Sequence, residues 1–456
     1  MERAHRWLAA GAALTAFAVV AGVVSGAVKA ADLGGNCCAD LEERIAELEA
    51  TTARKGNRKV SLTISGFVGH QVMWWDDGTK KDMYIGDGGN LSSRFRLIGE
   101  AKINPQLTAG FLYEFGAKNN SLGSMTQGGG GSDDLGGAIE LRDQTVWLRH
   151  AQFGMVKIGH GSTATDNLIL IDVANISAAS TPDIALFNGG FFPASKVGGY
   201  GTSQPLTWGH AINGGISFDT ARRNHVLWAS PSLAGFTLEA SVAENSFWDV
   251  ALRYAGEFAG FRVAGGVGYS VDKEAPSLIA GATGGMVPPG LSAALNATQV
   301  KNQMGSLSVM HVGTGLFVNA AAGRRQIDGT SLTITAPPFP GSLTLPLVSR
   351  DPMFWHVAAG LSRNYFGIGA TSIYGEYQQA KDFLSHQFAP ALTGFDDSMV
   401  KMWGFGVVQG IDAAGMEVFA AYKNYGLDLT QVSGGARETM SADKFQAVIV
   451  GTRIQF

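Results

Sequence analysis

The sequence predicts an all-β chain, a sixteen-stranded antiparallel transmembrane β-barrel preceded by a short helical segment. Three observations lead there. Gly supplies 62 of 456 residues while charged residues supply only 16%, against averages of roughly 7% and 25%. From residue 60 onward apolar and polar residues alternate with period two, the mark of strands with one apolar and one wet face. Short connections between these runs alternate with long ones, as in a closed barrel with turns at one rim and loops at the other.

The first thirty residues form a unit of their own. Arg3 and Arg6 precede an apolar run from Trp7 to Val24, and Ala30 precedes Ala31-Asp32, the charged, apolar and small-residue order of a secretory signal. The run is also long enough for a membrane anchor; its Ala and Gly content favours removal, so residues 1–30 are predicted to be a cleaved signal peptide. No later apolar run reaches the length of a membrane helix, so a membrane location requires a barrel. The net charge of −4 and the export signal argue against nucleic acid as a partner.

Residues 31–59 read as a tether. Leu41, Ile45 and Leu48 fall at helical spacing among Glu42, Glu43, Arg44, Glu47 and Glu49, which predicts a short coiled coil between subunits or a solvated spacer. The two cysteines, Cys37 and Cys38, are adjacent. They are too few for a disulfide framework or a zinc cluster, which leaves an intersubunit bridge or free thiols.

Strand-like runs follow at about 60–74, 93–103, 107–115, 140–150, 154–160, 224–230, 234–243, 248–256, 260–270, 303–311, 315–323, 352–362, 368–379, 399–411, 415–424 and 443–456. Connections beginning near 75, 116, 161, 244, 271, 324, 380 and 425 read as the long ones. The third, about 161–223, has no strand period, and a connection of that length belongs in a compact domain only when it is functional. It is predicted to fold into the barrel as a constriction loop. The last run places Val448, Val450, Ile454 and Phe456 on one face, and its apolar, aromatic-ended pattern resembles the signal read by the barrel assembly machinery.

Charge on a wall strand cannot face lipid, where Arg or Lys costs about 2–4 kcal/mol at the midplane. Arg94 and Arg96, with Glu100 and Lys102, alternate with Phe95 and Leu97 and must therefore face the lumen. On the fourth run Arg142, Gln144 and Val146 are expected to share a face, opposite Thr145 and Trp147, and Arg222-Arg223 precede the sixth. Asp166, Asp172 and Asp183 lie in the long third loop; facing the arginines, they would set a transverse field across an aqueous slot. Each could instead be a turn residue.

Catalytic motifs such as HExxH, a Walker loop or GxSxG do not occur, so no catalytic residue, metal or cofactor is predicted. His150, His160, His210 and His225 are scattered and read as pore or rim residues.

The segment Arg94 to Asn104 resembles the second strand of Gram-negative general porins, Arg142 to Gly161 their strand-turn-strand before the constriction loop, and Cys37 to Gly66 the start of porins of the alphaproteobacterial type. The resemblance implies that Arg94, Arg142 and Arg223, with the adjacent Arg96 and Arg222, form a basic ladder facing the loop. It also implies homotrimers set in outer-membrane lipid and lipopolysaccharide, and Ala31-Asp32 fits a pattern of attachment to peptidoglycan. The expected activity is passive diffusion of ions and small hydrophilic solutes, with no enzyme function. Two alternatives stand beside it: a substrate-specific channel using Phe187, Phe191, Phe192 and Tyr200 as a track, and a structural anchor or adhesin.

Overall fold

The computed structural model describes residues 59–90, 92–118, 121–128, 138–194, 206–214, 217–218, 222–273, 292–296, 299–328, 331–335, 342–346, 350–384, 395–433 and 436–456. Ala31, Asp32, Cys37, Cys38, Tyr200, the signal segment and all but the end of the tether lie outside them.

Strands in chain order are β1 (Ser61–Asp76), β2 (Lys81–Gly86), β3 (Arg94–Asn104), β4 (Leu107–Lys118), β5 (Ala138–His150), β6 (Gly154–Gly161), β7 (Arg223–Ala229), β8 (Phe236–Ala243), β9 (Trp248–Phe258), β10 (Phe261–Asp272) and β11 (Ser292–Asn296). They continue with β12 (Gln299–His311), β13 (Leu316–Asp328), β14 (Ser331–Thr335), β15 (Ser342–Pro346), β16 (Met353–Arg363), β17 (Thr371–Lys381), β18 (Phe395–Ile411), β19 (Met416–Ser433), β20 (Ala436–Ser441) and β21 (Phe445–Gln455). Sixteen of these form a closed antiparallel wall, each predicted run answering to one of them. The other five decorate the long-loop rim: β2 and β20 extend the sheet as hairpin arms on β1 and β19, and β11, β14 and β15 form a separate small sheet.

Closure comes from β1 against β21, in register from Phe67↔Gln455 to Asp76↔Gln446. Gly66 and Phe456 exchange both backbone hydrogen bonds, at 2.9 and 3.0 Å. A Cβ on Gly66 would lie 2.4 Å from the Arg94 carbonyl oxygen and 2.8 Å from the Phe456 ring, so β3, β1 and the last residue can meet only over a glycine. Every wall strand thereby has two partners, and among the described residues the wall keeps no free edge.

Alternation fixes which face is wet. On β21 Val448, Val450, Ile454 and the following Phe456 face outward, while Ala447 and Ile449 are buried inside. On β13 Leu316 and Val318 face outward, with Phe317 and Asn319 inside. Two sequence expectations need correction. The connection 244–247 lies on the long-loop side but is only four residues, so the rule of alternation holds for side and not for length. The last long connection is mostly strand and the first partly so, because β19–β20 and β1–β2 carry the pairing beyond the wall.

Candidate functional site

The described residues of the third long connection (162–194, 206–214, 217–218 and 222) pack against the inner face of the barrel. The entry of this connection is fixed by β9: Thr165 donates through N–H and Oγ1 to Asp249 at 2.8 and 2.7 Å. Arg253 donates to the carbonyls of Ala164 and Asp166 at 2.8 and 2.9 Å. A short 3-10 turn, Leu168–Leu170, then lies on a floor of glycines: a Cβ on Gly266 or Gly268 would come within 2.7 and 2.6 Å of the Leu168 side chain.

The chain next crosses the lumen on wall polar groups. Ser308 accepts from the Val173 N–H at 2.9 Å, Ser372 donates to the Ala174 carbonyl at 2.9 Å, and Asn175 donates to Glu417 at 2.7 Å. Ser180 donates to Glu376 at 2.7 Å; Glu376 also bonds the fully buried Lys423 and lies 3.2 Å from His356. Buried charge is tolerated here because each charged group has its partner in place. The helix α1 (Ala185–Asn188) sets Phe187 4.2 Å from the Lys423 ammonium.

The return arm is held by Arg325, which donates to the carbonyls of Asn213 and Ser217 at 2.9 and 3.1 Å and lies over Phe218. A second helix, α2 (Trp208–Asn213), is capped by Thr207, whose side chain accepts from the His210 N–H. Phe191 packs against Trp75 and Phe445, with centroids 5.0 and 4.9 Å apart, and Trp208 against Tyr425 at 5.9 Å. Phe187 and Phe191 are thus anchors buried against the wall, and they do not form the exposed aromatic track of the substrate-specific alternative. His210 is a capping residue.

Between loop and wall a cavity of about 120 Å³ remains. Phe67, Asn90, Arg94, Arg96, Arg222 and Arg453 line it from the wall and the loop's end, Ile169 to Asp172, Ser177 and Ser180 to Pro182 from the loop, and Asn319 to Ala321 with His356 behind. Its charged groups are four guanidiniums and one carboxylate, Asp172, with one imidazole.

Behind the arginines stands Glu114 on β4. Arg94 and Arg142 reach it at 3.4 and 2.7 Å, and Arg96 bonds its other oxygen. Phe67 lies between two guanidiniums, 4.8 Å from Arg94 and 5.4 Å from Arg453, and Arg453 pairs with Glu417 at 2.5 Å.

Arg94, Arg96 and Arg142 therefore come together as the sequence suggests, with Arg222 beside them. Arg223 does not join them: it pairs with Asp272 and stacks 4.3 Å over Phe247, apart from the cavity lining. Arg142 reaches the cluster by an unexpected route. The β4–β5 register shifts at Glu114/Phe115, so Arg142 and Asp143 both turn inward while Gln144 and Val146 face out. A bulge of this kind re-aims side chains that strict alternation would place on opposite faces.

The loop aspartates divide by role. Asp172 lines the cavity, but its carboxylate is a turn anchor that accepts from the N–H groups of Ala174, Ile176 and Ser177 at 2.8, 2.6 and 2.9 Å, and from Asn319 at 2.9 Å. Burial pushes its carboxyl up, and those hydrogen bonds only partly oppose it. Asp183 joins the outgoing and return arms by accepting from Asn213 and Ser217 at 3.2 and 3.0 Å, and burial raises its carboxyl too. Asp166 is buried at the loop's entry and is absent from the cavity lining.

Glu114 and Arg453 escaped the sequence reading, although the signal that marks Arg94 also marks them. Each is an inward charge beside outward apolar residues, Tyr113 and Phe115 flanking Glu114 and Ile454 following Arg453.

A family model described as Gram-negative porin matches residues 12–428. The chain belongs to the Gram-negative porins. This porin resembles the anion-selective porin from Comamonas acidovorans, at 14% identity, covering 87% of this chain and 100% of the other with a TM-score of 0.50. It likewise resembles the OmpF of Salmonella typhi, solved with daunomycin, at 13% identity, 87% and 98% coverage and a TM-score of 0.50. OmpT, an outer membrane protein of Vibrio cholerae, matches at 14% identity, 88% and 99% coverage and a TM-score of 0.48. No curated protein matches the sequence. Family and fold make this porin a channel of the outer membrane.

Proposed function

We propose that this porin is a homotrimeric passive diffusion channel whose constriction, the gap between the loop 162–222 and the arginines of β3 and β21, admits small hydrophilic solutes and favours anions. The observation that carries the reading is the cavity lining: Arg94, Arg96, Arg222 and Arg453 face a single carboxylate, Asp172. Fixed charge of one sign in a narrow low-dielectric slot concentrates counter-ions there.

Export by a cleaved signal at residues 1–30, a coiled-coil or spacer at 31–59, peptidoglycan attachment through Ala31-Asp32 and an intersubunit bridge at Cys37 or Cys38 belong to the same reading. So do contact with lipopolysaccharide and use of Ile454 and Phe456 as the assembly signal. Trimer assembly follows the family resemblance.

Reversal potentials in planar bilayers under a salt gradient test the selectivity. Wild type is expected to favour chloride over potassium, and Arg94→Gln combined with Arg222→Gln to move the potential towards the cation limit. An unchanged potential would remove the constriction assignment.

A further inference from the structure

The outer face of the barrel is not uniformly covered. A hollow of about 950 Å³ lies towards the turn-side rim, lined by Phe261, Val309, Leu316, Val318, Ala359 and Ile373 among others. Its cause is legible in the register. In one register row Val309, Val318, Ala359 and Gly375 stand side by side across β12, β13, β16 and β17. Ala359 and Gly375 thus put almost no side chain where their neighbours put Val. Around Gly375 there is open room, since a Cβ there would meet its nearest atom at 3.9 Å.

The turn-side end of this hollow is polar and cationic. Phe261 and His311 pack at 4.9 Å to form its rim, and Thr314 is bonded to His311 at 2.8 Å. Arg363, at the end of β16, runs its stem over Gly315, next to Thr314 and Leu316. Arg363 is exposed and makes no ion pair among the described residues, whereas Arg262 on the same rim is paired with Glu257 at 3.5 Å. Tyr365 and Phe366, 49% and 70% exposed on the following turn, hold that rim at the level where aromatic residues border a bilayer.

We propose that the hollow seats one anionic glycerophospholipid of the periplasmic leaflet, with an acyl chain along Val318, Ala359 and Gly375 and the phosphate at Arg363. Short turns face the periplasm in barrels of this kind, and the hollow is shallow and open along the outer face, as a lipid lying against the wall requires. An uncommitted guanidinium at headgroup depth, above an apolar hollow, matches an anionic lipid in both its parts.

Native mass spectrometry of the full-length protein in detergent, titrated with phosphatidylglycerol or phosphatidylethanolamine, tests this. Phosphatidylglycerol is expected to be retained about fivefold more tightly, the worth of one guanidinium near a charged headgroup. Arg363→Gln should abolish that preference, and Ala359→Leu with Gly375→Leu should lose both lipids while conductance and heat-modifiable migration stay at wild type. Equal retention of the two lipids by wild type, or retention unchanged in the filled variant, would overturn the proposal. So would a changed oligomeric state in the filled variant, which would give the hollow to a neighbouring subunit. Should the double leucine variant not fold, the Arg363→Gln comparison alone still decides between outcomes.

Discussion

Glu114 has the most leverage of any residue around the constriction, because Arg94, Arg96 and Arg142 all turn to it. Removing one partner of a buried charge cluster costs about 3–5 kcal/mol, here as repulsion among the guanidiniums. Glu114→Gln keeps the shape and removes the charge. Its expected effects are a lower melting temperature and a reversal potential moved further towards the anion limit, opposite in sign to Arg94→Gln. A bilayer recording in which both variants move the potential the same way would show that the cluster does not act through charge. The inward direction of Arg94 and Arg96 is legible in sequence because lipid forbids the alternative. That of Arg142 is not, since a bulge shifts the phase by one residue and leaves no mark in the local alternation.

At the scale of the element, the loop 162–222 is held by surface shape as much as by hydrogen bonds. Gly266 and Gly268 leave β10 flat where Leu168 lies. Gly268→Val would add bulk between wall and loop, at a cost of about 1–3 kcal/mol for an overpacked contact. The expected outcome is a displaced loop, read as a changed single-channel conductance with the strand signal in circular dichroism unaltered. That the loop enters the barrel is legible from its length and missing period. Its seating is not, because its partners stand far off in sequence: Asn175 and Glu417 are 242 residues apart, and Ser180 and Glu376 are 196. A polar residue waiting for such a partner looks the same as one waiting for water.

For the molecule as a whole, the strand count is legible because a membrane imposes the same length and alternation on every wall strand, whereas the hairpin arms β2 and β20 answer to no such constraint. Above the wall, stability depends on pH through Asp382, just past β17. Burial and the neighbouring Asp397 push its carboxyl up to about 7, while Lys381 and Arg350, the latter 3.8 Å away, only partly oppose them. The folded state thus favours the protonated form. That contribution is complete below the unfolded value, about 4, and is lost as pH rises towards 7. Asp382→Asn should therefore melt higher than wild type at pH 8 and lose its advantage near pH 4; the reverse order in thermal melts would contradict the assignment.

The contacts of the loop also set an order in time. Its anchors come from strands spread from β9 to β19, and Phe191 and Trp208 need Phe445 on β21 as well. The loop can be seated only after nearly all of the cylinder exists, and non-local contacts of this kind form late and slowly. A newly inserted barrel would then leak before it selects. Refolding into dye-loaded vesicles should show a brief efflux of solutes too large for the mature channel, ending as the loop docks, and Gly268→Val should prolong it.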